Sequence, residues 1–255
     1  MVTFCDLFAG GGTAAAGLRA AGMAHVAAVE CWGSAAANYR ANGGHVIEAD
    51  IRDVEAIPAA DVVWASPPCT EYSNGSNHRE KREDIKELVI DAIRVAITAN
   101  PRVIVLENHP LMLKATQYKQ ALFMAANAGL GHVREYVVDA ADYGSPSNRK
   151  RCFVTISRSD IGAIDWGELR TIAWDSVIHP TWEGDWRKLS HADRMEAHLR
   201  GANMCLYNYY SSPTSAATGK PAKTITTVPR SVVIRADGTR YWLKSDDYRR
   251  LMGAA

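Results

Sequence analysis

The alternation of strand-like and helix-like segments over residues 1–157 is the feature that most constrains the fold. Apolar, strand-like runs cover residues 2–8, 25–30, 45–49, 61–65 and 102–107, and helical patterns cover 13–21, 34–41, 84–99 and 111–128. Two later runs, 132–139 and 151–157, are typical of an antiparallel pair. Strands separated by helices indicate an α/β fold with a parallel, doubly wound sheet. In such a sheet, ligands bind at the carboxyl ends of the strands.

The pattern changes after residue 157. Four tryptophans crowd residues 166–186, and Gly, Pro, Ser and Thr are frequent from 211 to 229. This composition without clear periodicity predicts a second, smaller and irregular region. We therefore divide the chain into a first domain at 1–157, a second region at 158–223 and a C-terminal segment at 224–255 that returns toward the first domain.

The cysteine usage, with no membrane or signal segment, favours a protein of the cytoplasm, in a bacterial or phage-infected cell. Hydrophobic residues make up 47% of the 255 residues and the net charge is +1. The apolar runs are shorter than a membrane span, and the N-terminus lacks the pattern of a signal peptide. Five scattered cysteines indicate neither a disulfide framework nor a metal site. Residues 220–251 hold eight Lys/Arg and three Asp, which fits a phosphate-contacting face or an ordinary solvated surface equally well.

The residues that end the first predicted strands have the features of a nucleoside-binding site. The segment "DLFAGGGTAAAGL" at 6–18 follows a strand and opens a helix, with Ala15 where a third glycine of the dinucleotide motif would stand. Glu30 ends the next strand, where a carboxylate accepts from ribose hydroxyls. Trp32 could pack on an adenine ring, and Asp50 could accept from its amino group. Because no phosphate-binding lysine loop accompanies these residues, the pattern suits S-adenosylmethionine.

Cys69 follows the strand at 61–65 in "SPPCTEYS". Pro67 and Pro68 fix two φ angles and so limit where the thiol can point. An isolated cysteine is more commonly an inert buried thiol. Its place at a strand end beside the nucleoside site favours a nucleophile.

A nucleophile that attacks a nucleobase needs an acid and a cation close by. Glu107, followed by Asn108, closes the strand at 102–107 and offers the acid. Arg149 and Arg151 alternate at strand spacing and offer the cation. The alternatives are a solvated strand-end carboxylate and edge-strand charges that prevent aggregation.

The set "DLFAGGG", "VECW", "ADI", "SPPCTEYS", "ENH" and "YGSPSNRKR" resembles the cytosine-C5 DNA methyltransferase family of bacteria and phages. The match covers roughly 1–157 and weakly resumes at "KPAKTITT" and "LKSDDYRRLMG". The resemblance implies a Rossmann-like methyltransferase sheet, a target-recognition region at 158–223, double-stranded DNA as substrate and a cognate restriction enzyme as partner. It implies S-adenosyl-L-methionine as cofactor, S-adenosyl-L-homocysteine as product, and no metal or membrane.

The resemblance also implies residue roles. Cys69 would add to carbon 6 of a flipped cytosine, Glu107 would hold ring N3, Arg151 would hold O2, and Arg149 would support the site. Pro68, Ser73 and Asn108 would face the substrate. The implied cofactor residues are Phe8, Ala9, Gly10, Gly12, Thr13, Glu30, Cys31, Trp32, Asp50, Ile51, Pro67 and Leu88.

The chain departs from the family pattern at Thr70, His109 and Ser147, where Gln, an aliphatic residue and Gln are usual. The family's last, Asn-containing motif is expected after "RLMG", so we expect a shortened protein, a second chain that supplies the motif, or a loosely held cofactor. The alternatives left open are an RNA (tRNA) methyltransferase of the same family, a catalytically weak DNA-binding or regulatory homologue, and an enzyme that uses a modified methyl donor.

Overall fold

A computed structural model describes residues 1–68, 82–177, 187–188, 204–208, 214–217, 222, 231–235 and 239–243. The chain forms two compact units. The first comprises residues 1–137 and 151–164, and the second comprises 138–150 and 165–255. The assignment of 158–223 to target recognition stays a prediction.

The first unit is organised by a seven-stranded sheet in the order β3-β2-β1-β4-β5-β7-β6. Its elements are β1 (Thr3–Leu7), α1 (Thr13–Ala20), β2 (Ala24–Glu30), α2 (Gly33–Ala41), β3 (Val46–Glu48), β4 (Val62–Ala65), α3 (Arg82–Thr98), β5 (Val103–Asn108), α4 (Thr116–Asn127), β6 (His132–Asp139) and β7 (Lys150–Ser157). Strands β3, β2, β1, β4 and β5 are parallel, and β7 runs antiparallel to β5. The predicted α/β, doubly wound sheet is confirmed.

Helices cover the sheet in two groups because its central strands are apolar on both sides. One buried cluster joins Ile104 and Leu106 of β5 to Ile93 of α3. A separate cluster packs Phe4 of β1 with Tyr39 of α2. The strand order reverses between β1 and β4, and this switch point is where such sheets bind ligands.

The helix predicted over 111–128 is wrong in its first part. Residues Pro110–Lys114 form a 3-10 turn, Ala115 is extended (φ −76°, ψ 145°), and α4 begins only at Thr116. A 3-10 turn repeats every three residues, so its apolar spacing resembles that of a helix start. The other predicted helices agree with the structure to within one or two residues at the ends that differ.

The second unit contains a five-stranded sheet in the order β10-β9-β11-β12-β8. Its strands are β8 (Arg187–Lys188), β9 (Met204–Asn208), β10 (Thr214–Ala217), β11 (Ser231–Arg235) and β12 (Thr239–Trp242), and its pairs are antiparallel. The sequence predicted no regular structure for 158–223, so three of these strands were missed. Within the described ranges, no helix has the length and hydropathy to span a membrane.

Candidate active site at the strand ends

The turn after β1 has a backbone that glycine makes possible. Gly10 and Gly12 have φ values of +53° and +94°, and a Cβ at Gly12 would lie 3.1 Å from the ring of Tyr39. Phe8, which is not glycine, also has a positive φ of 59°. A residue held in this region costs about 1–3 kcal/mol and is typical of functional sites. These positive φ values turn the backbone sharply after β1, so that α1 begins close to the carboxyl ends of the strands.

Glu30 holds this turn at the end of β2. One carboxylate oxygen accepts from the backbone N–H of Gly10 at 2.7 Å, and the other accepts from the backbone N–H of Trp32 at 2.8 Å. An ionised carboxylate has about four acceptor positions, so both oxygens can accept further donors. The Trp32 side chain is 70% exposed at the start of α2. The predicted acceptor of ribose hydroxyls is thus fixed in orientation by the backbone.

A cavity of about 200 Å³ lies beside these groups. Six of the predicted cofactor residues line it, together with Pro68, which was predicted to face the substrate. The full lining is Phe8, Val29, Glu30, Cys31, Ala49, Asp50, Ile51, Arg52, Pro68 and Leu88. The other predicted cofactor residues, Ala9, Gly10, Gly12, Thr13, Trp32 and Pro67, lie in the adjoining turn, helix starts and strand end.

Asp50 is paired with Arg52 at the rim of this cavity. The carboxylate accepts from the Arg52 backbone N–H at 3.0 Å and from its Nε at 2.9 Å. The hydrogen bond from the Arg52 side chain lowers the pKa of Asp50 to about 2. Asp50 is therefore ionised at neutral pH, and its charge is compensated within the protein.

Asn108 ties the end of β5 to the segment that leads to Cys69. Its Nδ2 donates to the carbonyl oxygen of Pro67 at 2.9 Å, and its Oδ1 accepts from the backbone N–H of His109 at 2.7 Å. The side chain is 1% exposed. The carboxamide predicted to face the substrate is thus buried and bonded to the protein backbone on both sides.

Glu107 and Arg151 form an ion pair at the ends of β5 and β7. Arg151 Nε lies 3.0 Å from Glu107 Oε1, and the two side chains are 13% and 20% exposed. Glu107 is paired with Phe153 across the ladder, so Arg151, two residues before Phe153, lies on the same face. The structure thus brings together the predicted acid and one predicted cation. Arg149 belongs to the second unit, where it is exposed and its backbone N–H donates to Asp139 Oδ1 at 2.8 Å.

His109 directly follows Asn108, and a hydrogen bond fixes the tautomer of its neutral ring. Its Nδ1 accepts from the backbone N–H of Leu111 at 3.3 Å, so the proton of the neutral ring is on Nε2. Burial and the charge of Arg151 lower its pKa below the ordinary value. The residue that departs from the family pattern therefore presents a neutral N–H donor beside Arg151.

Cys69 and Ser73 lie outside the described residues. Their structural context is known only up to Pro68, where the segment leaves β4. Among the described parts of the chain, no group of three or more His, Cys, Asp and Glu side chains is arranged to hold a metal ion.

A family model for the C-5 cytosine-specific DNA methylase matches residues 2–171. The chain belongs to this family. It is 30% identical over 203 residues to the type II methyltransferase M.NgoMIV of Neisseria gonorrhoeae, which covers 72% of this chain and 64% of that protein. It is 27% identical over 168 residues to the type II methyltransferase M.DdeI of Desulfomicrobium norvegicum, covering 61% of this chain and 40% of that protein.

The fold of the chain is also found in solved structures. The Dnmt2 methyltransferase of S. pombe matches with a TM-score of 0.62 and 15% identity, covering 100% of this chain and 86% of that one. This likeness shows the fold alone. The chain spans less than two thirds of the length of the two type II relatives.

The described residues that line the cavity fit an adenosine-type cofactor. Phe8, Ile51 and Leu88 give the cavity apolar walls, and Glu30 provides oriented acceptors. The space over Gly10 is open, because a Cβ there would meet no atom within 4 Å. The cavity is smaller than the roughly 300 Å³ at the low end of drug-sized pockets, so its walls suit one ring of such a ligand rather than the whole.

Sequence reasoning missed two charged residues at these strand ends. Arg52 lines the cavity, and its position directly after the "ADI" segment was the available signal. Asp6, within "DLFAGGG", is 1% exposed at the end of β1, yet no role was assigned to it. An acid inside an otherwise apolar strand is the signal that could have identified it.

Proposed function

We propose that the protein is an S-adenosylmethionine-dependent DNA cytosine-C5 methyltransferase. The observation that carries the proposal is the Glu107–Arg151 pair, whose atoms lie 3.0 Å apart. Asn108, the next residue after Glu107, donates to the Pro67 carbonyl oxygen and so ties this strand end to the segment that leads to Cys69. Glu107 lies at the carboxyl end of β5 and Arg151 at the amino end of β7, which share one edge of the sheet because the two strands are antiparallel. The cofactor cavity includes Pro68 of the Pro67 segment. Family membership supports the same reaction class.

Each group has a defined task in this reaction. A cytosine flipped out of the duplex is held at ring N3 and its amino group by Glu107 and at O2 by the guanidinium of Arg151. Arg151 contacts Glu107 through Nε, and a guanidinium is the group best suited to donate to a carbonyl oxygen as well. Protonation or hydrogen bonding at N3 makes carbon 6 electrophilic, and the thiolate of Cys69 adds there.

The rest of the reaction restores the ring. Addition at carbon 6 makes carbon 5 nucleophilic, and bound S-adenosylmethionine supplies the methyl group that carbon 5 takes. Loss of the carbon 5 proton to a base and departure of the Cys69 sulfur regenerate the aromatic ring. Glu30 and the cavity walls hold the cofactor, and Asn108 acts through Pro67 by fixing the segment that leads to Cys69. A cognate restriction enzyme is the partner that this proposal implies.

The test is covalent trapping with duplex DNA that contains 5-fluorocytosine, in the presence of S-adenosylmethionine. Fluorine at carbon 5 does not leave as a proton does, so the protein stays attached through Cys69. We expect a stable protein–DNA adduct that is lost in Cys69→Ala. The Cys152→Ala variant is the matched control, because the Cys152 thiol is buried and burial raises its pKa to about 11.

The outcomes separate the function classes. An adduct with duplex DNA that depends on Cys69 supports the proposal, and sequencing the trapped DNA identifies the target. An adduct formed only with fluorinated tRNA would replace DNA by RNA as substrate. Cofactor binding without an adduct on either nucleic acid would contradict catalysis and favour a binding or regulatory protein.

A further inference from the structure

Asp50 and Arg52 form a pair in the wall of the cofactor cavity, and the proposed function uses only Asp50. Both residues line the cavity of about 200 Å³, with Ile51 between them in the chain. Arg52 Nε donates to Asp50 Oδ1 at 2.9 Å, and Arg52 Nη2 donates to Asp50 Oδ2 at 2.5 Å. Two parallel hydrogen bonds of this kind hold a guanidinium and a carboxylate in one plane, so the pair is a single unit of fixed geometry.

The backbone that carries this pair is held by a second arginine, Arg94 of α3. Its Nη1 donates to the carbonyl oxygen of Val54 at 2.8 Å, and its Nη2 donates to that of Ile51 at 2.9 Å. The same Nη2 also lies 3.3 Å from the carbonyl oxygen of Arg52. Because these contacts from α3 fix the turn, the pair needs little rearrangement to meet a ligand, which lowers the cost of binding.

The pair keeps hydrogen-bonding groups of both kinds for a ligand. Asp50 accepts three hydrogen bonds from Arg52, and an ionised carboxylate has about four acceptor positions, so one position on Oδ2 remains. Among the residues that the structure describes, Arg52 Nη1 has no hydrogen-bond partner, and the side chain is 59% exposed. An available acceptor therefore lies beside available N–H donors. The two charges cancel, so the pair selects a ligand by its pattern of donors and acceptors rather than by its charge.

Arg52 is the charged residue of the cavity that can donate. Among the described residues of the lining, the charged side chains are Glu30, Asp50 and Arg52, and the two acids are acceptors when ionised. A ring nitrogen of adenine that carries no hydrogen is an acceptor and must meet a donor. The apolar walls at Ile51 and Leu88 suit the faces of a base ring, which leaves the Asp50–Arg52 pair to meet its polar edge.

We propose that Arg52 is an adenine-recognition residue of the cofactor site, which donates to a ring nitrogen next to the amino group from which Asp50 accepts. The inference rests on the proposed function, because it takes the ligand to be S-adenosylmethionine or its product. In adenine the 6-amino group lies between two acceptors, N1 and N7. A donor and an acceptor side by side are the pattern by which proteins bind this edge of adenine. A purine with a carbonyl group at position 6 would place an acceptor against the carboxylate and would be rejected.

The test is isothermal titration calorimetry of the full chain with S-adenosylhomocysteine and with its 1-deaza and 7-deaza analogues. In each analogue a C–H group replaces one ring nitrogen, N1 or N7, so one acceptor is removed and the shape is kept. The variant is Arg52→Ala. Arg40→Ala is the matched control, because Arg40 is also an exposed arginine, paired with Glu48 at 2.8 Å, and does not line the cavity. Both arginines are exposed, so neither replacement should prevent folding.

We expect wild type and Arg40→Ala to bind one of the two deaza analogues about tenfold more weakly than S-adenosylhomocysteine, because one hydrogen bond from a charged donor is lost. Arg52→Ala should bind S-adenosylhomocysteine about tenfold more weakly than wild type does. It should bind that same analogue as well as wild type does, because the interaction has already been removed from the ligand. The analogue that shows this behaviour identifies the ring nitrogen that Arg52 contacts.

The other outcomes would overturn the inference in distinguishable ways. A preference for S-adenosylhomocysteine over the analogues that persists in Arg52→Ala would mean that another donor meets the ring nitrogen. An equal loss of affinity for all three ligands in Arg52→Ala would mean that Arg52 only supports Asp50. Equal binding of the three ligands by wild type would overturn the inference and leave the proposed function intact. Failure of wild type to bind S-adenosylhomocysteine would overturn the proposed function and this inference with it.

Discussion

Replacing Asn108 by alanine should destabilise the first unit by about 2–4 kcal/mol. The substitution removes two hydrogen bonds, of 2.9 Å to the Pro67 carbonyl and 2.7 Å from the His109 N–H, inside a site that is 1% exposed. Each of the two lost bonds is worth about 1 kcal/mol, which gives the lower bound, and a buried partner left unpaired adds up to about 2 kcal/mol more. For a domain of this size the melting temperature should fall by about 4–16 °C.

The assay is urea unfolding followed by far-UV circular dichroism, with Thr155→Val as the matched control. Thr155 lies on β7 opposite Val105 of β5, is 2% exposed, and its hydroxyl has no hydrogen-bond partner among the described residues. Replacing this hydroxyl by a methyl group should change stability by less than about 0.5 kcal/mol or increase it. A loss in Asn108→Ala below about 0.5 kcal/mol, or an equal loss in Thr155→Val, would refute the reasoning that the hydrogen bonds of Asn108 stabilise the strand end.

Asn108→Asp tests the direction of the Pro67 bond. An ionised aspartate keeps an acceptor for the His109 N–H but has no donor for the Pro67 carbonyl, and burial penalises its charge. A buried acid of this kind has a raised pKa, so the stability it contributes is present at low pH and is lost as pH rises through that pKa. The variant should therefore approach wild-type stability as pH is lowered toward 5. Unfolding curves that show no such recovery would contradict the donor role of Asn108.

Three further predictions test other parts of the first unit. Gly12→Ala should cost about 1–3 kcal/mol, because its φ is +94°, whereas Gly17→Ala within α1 should stabilise by about 0.5–1 kcal/mol in the same unfolding assay. Arg158→Ala should lower the free energy of unfolding by about 2–3 kcal/mol, because its guanidinium donates to three acceptors near the ends of α3 and α4. Arg134→Ala should lower it by less than about 1 kcal/mol, because this change breaks only an exposed ion pair. Without cofactor, the stability of the wild type should fall as pH rises from about 4 to 7. The reason is that the raised pKa of Asp6 lets the folded protein keep a proton that the unfolded chain has lost. Thermal melts of Asp6→Asn should lack this pH-dependent loss of stability.

The sequence could predict the sheet and the edge at which the site lies, because both depend on local periodicity. The apolar runs that end in Glu30 and Glu107 identified two strands and their carboxyl ends. The second sheet was missed because its strands are only two to five residues long and carry no clear alternation.

The bonding within the site could not be predicted from local patterns. The Asn108–Pro67 contact joins residues 41 apart in sequence, and the Glu107–Arg151 pair joins two strands that meet only through the antiparallel return of β7. Such contacts are set by strand order and register, which periodicity does not specify. The sequence therefore identified Asn108 as a site residue but did not show that its amide is bonded to the protein backbone.

In the described part of the site, the acids Asp6, Glu30 and Asp50 lie near the ends of β1, β2 and β3, and Arg151 lies with Glu107 at the ends of β5 and β7. Asp50 is compensated by Arg52, and Glu30 is held by two backbone N–H groups, which leaves Asp6 as the acid in the cofactor half whose free oxygen meets no described donor. On the other side of β4, Arg151 is paired with Glu107. Under the proposed function, we expect the cationic methyl donor beside β1 and β2 and the carbonyl oxygen of the base beside β5 and β7. The Pro67 segment lies between these halves, and for this reason the hydrogen bond that fixes it should affect catalysis as well as stability.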